Sequence, residues 1–499
     1  MIAGFRNTTV LAALGFLTAC SSPKTELLWT KTFYQIGSQS SPRMADLNND
    51  GTLDIVMGAG RAEMDSIEQG VIALNGIDGS LLWQVGTPAS VVGSATFLDI
   101  TADGIDDVFI GGRNTFLAAI NGSTGEFIWR YQVNETEHPI RKYARYNFYN
   151  ATIVPDQNSD ALPDLLIING GNWDADPGSV SDREPGVLMV ISSASGLILA
   201  ADTMPDGKES YQSPIAFSQP GSDEIEIVFG SGGETISGAL YHTTLTHLMR
   251  EDLSKALVLA RGIDHGFIAP PAIADVNEDG YFDILATSHG GEVMAIDGES
   301  KQQIWSTRFS GMESSNSFAV GLYNGDQVPD VCTVLSKGVW PFYSYSHQIM
   351  LDGKSGQIEY IDSSNCFSLS SPISTDLTGD GYDEVILSAN RYDCTIQFGP
   401  DTLAPPEMAN ELMAIDFRSG SVQVIDHTDR FMNIFSTPWV GDLDGNGYLD
   451  IVYSQFYNPT DIRRFLGMQL KRISTSKRVP QTPKWSGYQG NDGRSVYKN

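Results

Sequence analysis

The sequence predicts an all-β fold: a single eight-bladed β-propeller of four-stranded antiparallel blades, closed by an N-terminal strand. Three observations carry this expectation. An acidic loop recurs eight times, the same order of apolar strands surrounds each copy, and one unmatched strand lies near the N-terminus. Repetition at roughly sixty residues is the mark of a radial or stacked architecture, in which each unit buries its apolar faces against its neighbours.

The clearest loop reads Asp46-Leu-Asn48-Asn-Asp50-Gly51-Thr-Leu-Asp54 and runs into Ile55, Val56 and Met57. Near-copies begin at Asp99, Asp156, Asp275, Asp376 and Asp442, and degraded copies at 218–226 and 322–330 fill the gaps. A short apolar strand precedes each loop, as in Ala95 to Leu98. A continuously apolar strand follows it, such as Val108-Phe109-Ile110, and continuous hydrophobicity implies burial on both faces. A third strand ends in Asn-Gly or Asp-Gly (Leu74-Asn75-Gly76), and a fourth ends in Trp (Gly79 to Trp83, Gly125 to Trp129). Four short strands per unit, eight times over, describe propeller blades. Trp29 precedes its loop by the same interval as Trp83 and Trp305 precede theirs, so the segment around it is a fourth strand without a blade. It is expected to complete the eighth blade, because an open ring would leave bare sheet edges.

The Asp-x-Asn/Asp-x-Asp-Gly-x-x-Asp loop with its apolar strand resembles the FG-GAP/VCBS repeat of integrin-type propellers. The Ala-x-Asn-Gly-x-x-Gly-x-x-x-Trp half resembles the blades of quinoproteins, the PQQ-like repeat. Both resemblances imply the propeller; neither implies one activity, because propellers host unrelated functions. The quinoprotein resemblance would imply a quinone cofactor, but the adjacent Cys pair used by many of its members is missing, and no PQQ is expected.

Oxygen donors at positions one, three, five and nine, with Gly at six, follow the logic of a calcium loop. The expected ligand sets are Asp46, Asn48, Asp50 and Asp54; Asp99, Thr101, Asp103 and Asp107; Asp156, Asn158, Asp160 and Asp164; Asp275, Asn277, Asp279 and Asp283; Asp376, Thr378, Asp380 and Glu384; and Asp442, Asp444, Asn446 and Asp450. The loops at 46, 275 and 442 fit best, while Ala161 replaces the glycine of the third. The expected role is structural: calcium would cancel part of a formal net charge of -30.

That charge argues against nucleic-acid partners, since such a chain repels phosphate backbones. At the N-terminus, Arg6 and the apolar stretch 10–16 lead to Leu17-Thr18-Ala19-Cys20, which resembles the lipobox of bacterial lipoproteins. The resemblance implies a signal peptide at 1–19, acylation of Cys20, a linker at 20–25, and a lipid-anchored chain at the outer membrane or cell surface. The propeller is expected over 26–480, with 481–499 as a tail packed on it. Cys366 and Cys394 are equidistant from Asp380, the centre of the seventh loop, so they oppose each other across the inner hairpin and are expected to form a disulfide. Cys332 lies in a buried strand and is expected to remain a thiol.

Strand order places the acidic loops and the three–four turns on one face. The two–three and four–one connections lie on the other, with the long insertions 134–150, 169–185, 337–345 and 390–409. Variable loops on a rigid scaffold are where binding concentrates. Candidate ligand residues there are Arg141, Lys142, Arg145, Tyr146, Trp173, Trp340 and Tyr392, with Phe342 and Tyr343 nearby in sequence. Arg can fork onto a carboxylate while Tyr stacks on a sugar face. His138, His265 and His289 fall on the same face. The reading is a calcium-stabilised, monomeric envelope propeller that binds a glycan or an envelope protein. As an enzyme it would be a lyase acting on uronate-containing polysaccharide; as a third alternative, it is an envelope assembly scaffold.

Overall fold

Eight antiparallel sheets follow one another along the chain, each built from the strand sequence around one acidic loop. The computed structural model describes residues 24–132, 139–172, 175, 179, 181, 183–340, 342–394, 407–457, 464–480 and 485–498. Blade 1 comprises Arg43–Ala45, Asp54–Gly58, Ile67–Leu74 and Leu81–Thr87; blade 2 comprises Thr96–Leu98, Asp107–Gly111, Leu117–Ile120 and Phe127–Arg130. Blades 3 to 7 repeat the pattern from inner strands Thr152–Val154, Ile215–Phe217, Ala272–Ala274, Ala319–Gly321 and Ile373–Thr375. In blades 3 and 6 the short strands Asn147–Phe148 and Met312–Glu313 prolong the inner edge, pairing with the same second strand. Blade 8 takes Trp439–Gly441, Tyr448–Tyr457 and Gly467–Arg478 from the end of the chain and Thr25–Tyr34 from its beginning. Thr25 pairs with Thr475 and Tyr34 with Gly467, so the ring is closed by the N-terminal strand.

The second strands are apolar throughout because each serves two cores. Ile55 and Met57 point towards Val452 and Leu470 of blade 8, while Val56 points towards Val108 and Ile110 of blade 2. Asp54–Gly58 and Asp107–Gly111 are buried at every residue. Outer strands face solvent on one side, and Leu81–Thr87 alternates accordingly.

The Trp residues of the fourth strands fasten neighbouring blades. The indole N–H of Trp29 donates to the Gly76 carbonyl at 3.1 Å, that of Trp83 to Gly122 at 2.7 Å, that of Trp129 to Ser193 at 2.7 Å, and that of Trp305 to Gly353 at 2.7 Å. The ring then lies over the next blade's turn. A Cβ on Gly125 would stand 2.8 Å from Trp83, and Gly125 has φ +74, so glycine is required twice over.

Residues 485–498 lie inside the ring. Trp485 is fully buried, and its carbonyl accepts from Ser374 N–H in blade 7 while the Ser486 carbonyl accepts from Val440 N–H in blade 8. Ser495 and Tyr497 bond Ile273 of blade 5, and Gln489 accepts from Asn150, just before the inner strand of blade 3. Gly493 lies against Arg43 of blade 1. A segment touching the inner strands of five blades must cross the axis, so residues 485–498 occupy the central channel. Burial there lowers Arg43 to about 10, against the opposing pull of Tyr488 and Asp492.

Cys366 and Cys394 are joined by a disulfide, with Cα atoms 5.2 Å apart, and Cys332 is a buried thiol. No described helix is long and apolar enough to cross a membrane.

Candidate functional site at the axial mouth

The two faces differ in kind. On the acidic-loop face, four ninth-position carboxylates turn inward and tie the loop to the three–four turn of the same blade. Asp54 accepts from Leu47 N–H and Gly76 N–H, both at 3.1 Å. Asp107 does the same with Ile100, Thr101 and Gly122, Asp283 with Val276 and Gly298, and Asp330 with Tyr323 and Gly353. Gly76 therefore receives a carboxylate on its N–H and an indole from the preceding blade on its carbonyl, which links the loops to the seams of the ring. Burial pushes Asp54 and Asp283 up to about 6, and Asp330 and Glu384 up to about 7.

The first, third and fifth positions fold back on loop N–H groups. Asp46 accepts from Asp50 and Gly51, Asn48 from Asp50, and Asp275 from Glu278 and Gly280. Asp99 Oδ1 and Asp442 Oδ1 are buried without a hydrogen-bond partner. An orphaned carboxylate oxygen among hard oxygen donors fits a calcium ion. Blade 8 differs: Arg472 already places its guanidinium between Asp444 and Asp450.

The insertion face surrounds the open mouth of the channel, and charged groups from successive blades converge there. Arg113 pairs with Glu63 at 2.7 Å. Arg183 meets Glu209 at 2.5 Å, and Tyr211 donates to the same carboxylate oxygen at 3.0 Å. Burial holds the Tyr149 and Tyr211 hydroxyls far above their ordinary range. Arg183, Lys208, Glu209, Ser237 and Asp264 line a cavity of about 360 Å³. Further round, His265 and His289 lie with ring centroids 5.4 Å apart, beside Glu313.

The sequence-predicted ligand residues are distributed more widely. Arg145 pairs with Glu184 at 2.5 Å and is half-exposed; Lys142 is exposed over the Tyr143 ring; Tyr146 is buried. Trp340 packs on Tyr343, Phe367 and Phe435, and Tyr392 joins the same cluster, so both serve the core between blades. Of the 337–345 insertion, residues 337–339 and 342–345 lie in two paired strands, with Val339 opposite Phe342. Cys20, His138 and Trp173 lie outside the described residues, as does the side chain of Arg141. Glu313 escaped sequence reasoning because it sits in no motif. Its place beside the two histidines is fixed only by the packing of blade 5 against blade 6.

The acidic turns, the indole staples and the ring of eight blades frame the comparison with known families. Residues 4–219 match the family model described as "Outer membrane protein assembly factor BamB". The match is to that model's PQQ-type repeat and covers blades 1 to 3 with the start of blade 4; the FG-GAP/VCBS resemblance has no such support. A curated relative, Protein FAM234B of Gallus gallus, is 26% identical over 189 residues, covering 36% of this chain. The aligned part spans 27% of that relative's length. Among solved structures, a europium-containing methanol dehydrogenase aligns at TM-score 0.56 and 10% identity, covering 90% of this chain and 93% of its own. The rhamnogalacturonan lyase YesW aligns at 0.52 and 12%, covering 93% and 76%. BamB from Moraxella catarrhalis aligns at 0.48 and 12%, covering 90% and 97%. At these identities the likeness is one of fold.

Proposed function

We propose that this chain is a propeller of the bacterial envelope, anchored through Cys20 and stabilised by calcium, that binds a glycan or an envelope protein at the mouth on its insertion face. The observation that carries the reading is the occupied channel. With residues 485–498 filling the axis, one face is left as rigid acidic turns, and the other gathers Arg113, Arg183, Tyr149 and Tyr211 around a shallow mouth. The match of residues 4–219 to the BamB model supports an envelope setting and a protein partner. Lys24 N–H donates to Ser476 Oγ, at the end where the last blade meets the acidic loops. An anchor at Cys20 would therefore hold the acidic face towards the membrane and turn the mouth away.

The test is capture from detergent-solubilised envelope by the full chain, in parallel with a glycan array. Binding that is lost in Arg113→Ala but kept in a variant of the opposite face, such as Asp78→Ala, supports the reading. Binding by neither route, or binding indifferent to the mouth, overturns it. The lyase reading keeps one specific support, the His265–His289–Glu313 cluster beside buried Tyr343. An ultraviolet absorbance screen on uronate polymers decides it, since β-elimination creates a conjugated double bond.

A further inference from the structure

His265, His289 and Glu313 come from three separate stretches: the connection from blade 4 to blade 5, the turn after the second strand of blade 5, and the strand Met312–Glu313 that opens blade 6. One ligand atom from each lies within 4.8 Å of the other two. We propose that these three side chains hold one divalent transition cation of the zinc class on the insertion face. The site is independent of the acidic loops and of the binding function above.

The tautomers point to it. His265 Nδ1 stands 2.5 Å from the Glu234 carbonyl, and His289 Nδ1 stands 3.1 Å from the Ser314 carbonyl. A carbonyl only accepts, so His265 Nδ1 carries the proton; the Ser314 carbonyl asks the same of His289 Nδ1, with the Ser315 hydroxyl accepting beside it at 3.1 Å, and each Nε2 then presents a lone pair. Carbonyls in that position are the usual way of orienting a ligating imidazole. His289 is 1% exposed, and its Nε2 makes no hydrogen bond; it faces Glu313 Oε2 at 3.2 Å. A ring lone pair and a carboxylate charge at that distance repel unless a positive charge lies beside them.

A proton on His289 would satisfy that pair alone. It would leave unexplained why His265 is brought to the same point, with its Nδ1 already committed to Glu234. A cation accounts for all three. Glu313 is held in place by Tyr343, whose hydroxyl donates at 2.6 Å, and by Trp340 N–H at 2.9 Å. Gly290 leaves room for the His265 ring, since a Cβ there would approach its Cδ2 to 3.0 Å.

Two imidazoles and one carboxylate suit zinc, cobalt or nickel, whereas calcium prefers an all-oxygen shell. Three protein ligands leave a coordination position for water or for an anionic oxygen of a ligand.

The experiment uses the full chain stripped with chelator and returned to excess calcium, so that the acidic loops are saturated before any transition metal is added. Cobalt(II) is titrated and followed by its visible ligand-field bands, then displaced by zinc. The expected result is one equivalent of cobalt, bands lost on adding zinc, and affinity reduced about 100-fold or more in His289→Ala, an extrapolation from the 10–100-fold typical of outer-shell partners. His265→Gln, at the more exposed ligand, repeats the test should the buried variant fail to fold, and Tyr343→Phe should weaken binding about tenfold with the fold intact. Cobalt binding equal in the parent and in both histidine variants overturns the proposal. So does absence of binding in the parent; His289 and Glu313 are then a protonated ion pair.

Discussion

Arg472 reaches out of the last-made strand of blade 8 and donates to Asp450 at 2.8 Å, with both side chains closed off from solvent. The same guanidinium meets Asp444 at 2.6 Å and the Gly76 carbonyl of blade 1 at 3.1 Å. One side chain thus neutralises two carboxylates of the eighth loop and stitches the closing seam. Removing one partner of a buried pair leaves the other charge stranded, so Arg472→Ala should cost about 3–5 kcal/mol in urea unfolding. Arg472→Ala with Asp450→Asn should recover part of that loss. A single variant as stable as the parent would contradict this account of the seam.

Calcium should separate the loops. Chelation is expected to lower the melting temperature and calcium to restore it, as for any ligand that binds the folded state alone. Asp46→Ala should reduce the calcium content measured by elemental analysis. Asp444→Ala should leave it unchanged, because Arg472 already provides the cation at that carboxylate. Equal losses in the two variants would refute the distinction.

The inward carboxylates set a pH dependence of unusual sign. Asp54 and Asp283 are raised to about 6, and Asp330 and Glu384 to about 7, chiefly by burial. A carboxyl with a raised folded-state value favours folding while protonated. Its contribution is full below about pH 4 and is lost as pH climbs through 7. In chelator, the melting temperature should therefore fall between pH 5 and pH 8, and Asp330→Asn should flatten the slope. Calcium should stabilise more at pH 8 than at pH 5. A profile that rises with pH in chelator would show that these groups do not govern it.

The indole staples are testable one seam at a time. Trp83→Ala removes a buried ring and its bond to Gly122, for a cost of about 3–5 kcal/mol. Gly125→Ala should destabilise without touching the indole itself, because the new methyl meets Trp83 and the φ of +74 disfavours it. Thermal melts of both variants, with an exposed control such as Glu126→Ala, measure the effect.

Much of the ring was legible because repetition amplifies weak local signals. No single apolar triplet identifies a strand, but eight triplets after eight acidic loops do, and Trp29 revealed the closing strand by standing at the interval that Trp83 and Trp305 define. The site was legible only in outline. Strand order put His265 and His289 on one face, yet their meeting with Glu313 depends on how blade 5 leans on blade 6, for which the chain carries no spacing signal. Arg472 was invisible for the same reason: it lies 22 residues from Asp450 on a partner strand. The 337–345 segment read as an insertion because it lacks the repeat's turn. It instead extends two ten-residue strands, Asp330–Val339 and Phe342–Leu351, that pair with each other.

The pairing of Thr25 with Thr475 imposes a timetable on synthesis. At ribosomal rates of about 5–20 residues per second, about 20 to 90 seconds separate the two strands' emergence. Throughout that time the first strand has no partner, and residues 485–498 emerge later still, to take their place in the axis. Blades 1 to 7 can pair locally as they appear, but the closing pair and the axial segment come late. A chain stopped short of Gly467 would accordingly be a nearly complete protein with an open edge, the form that a chaperone or a protease meets first.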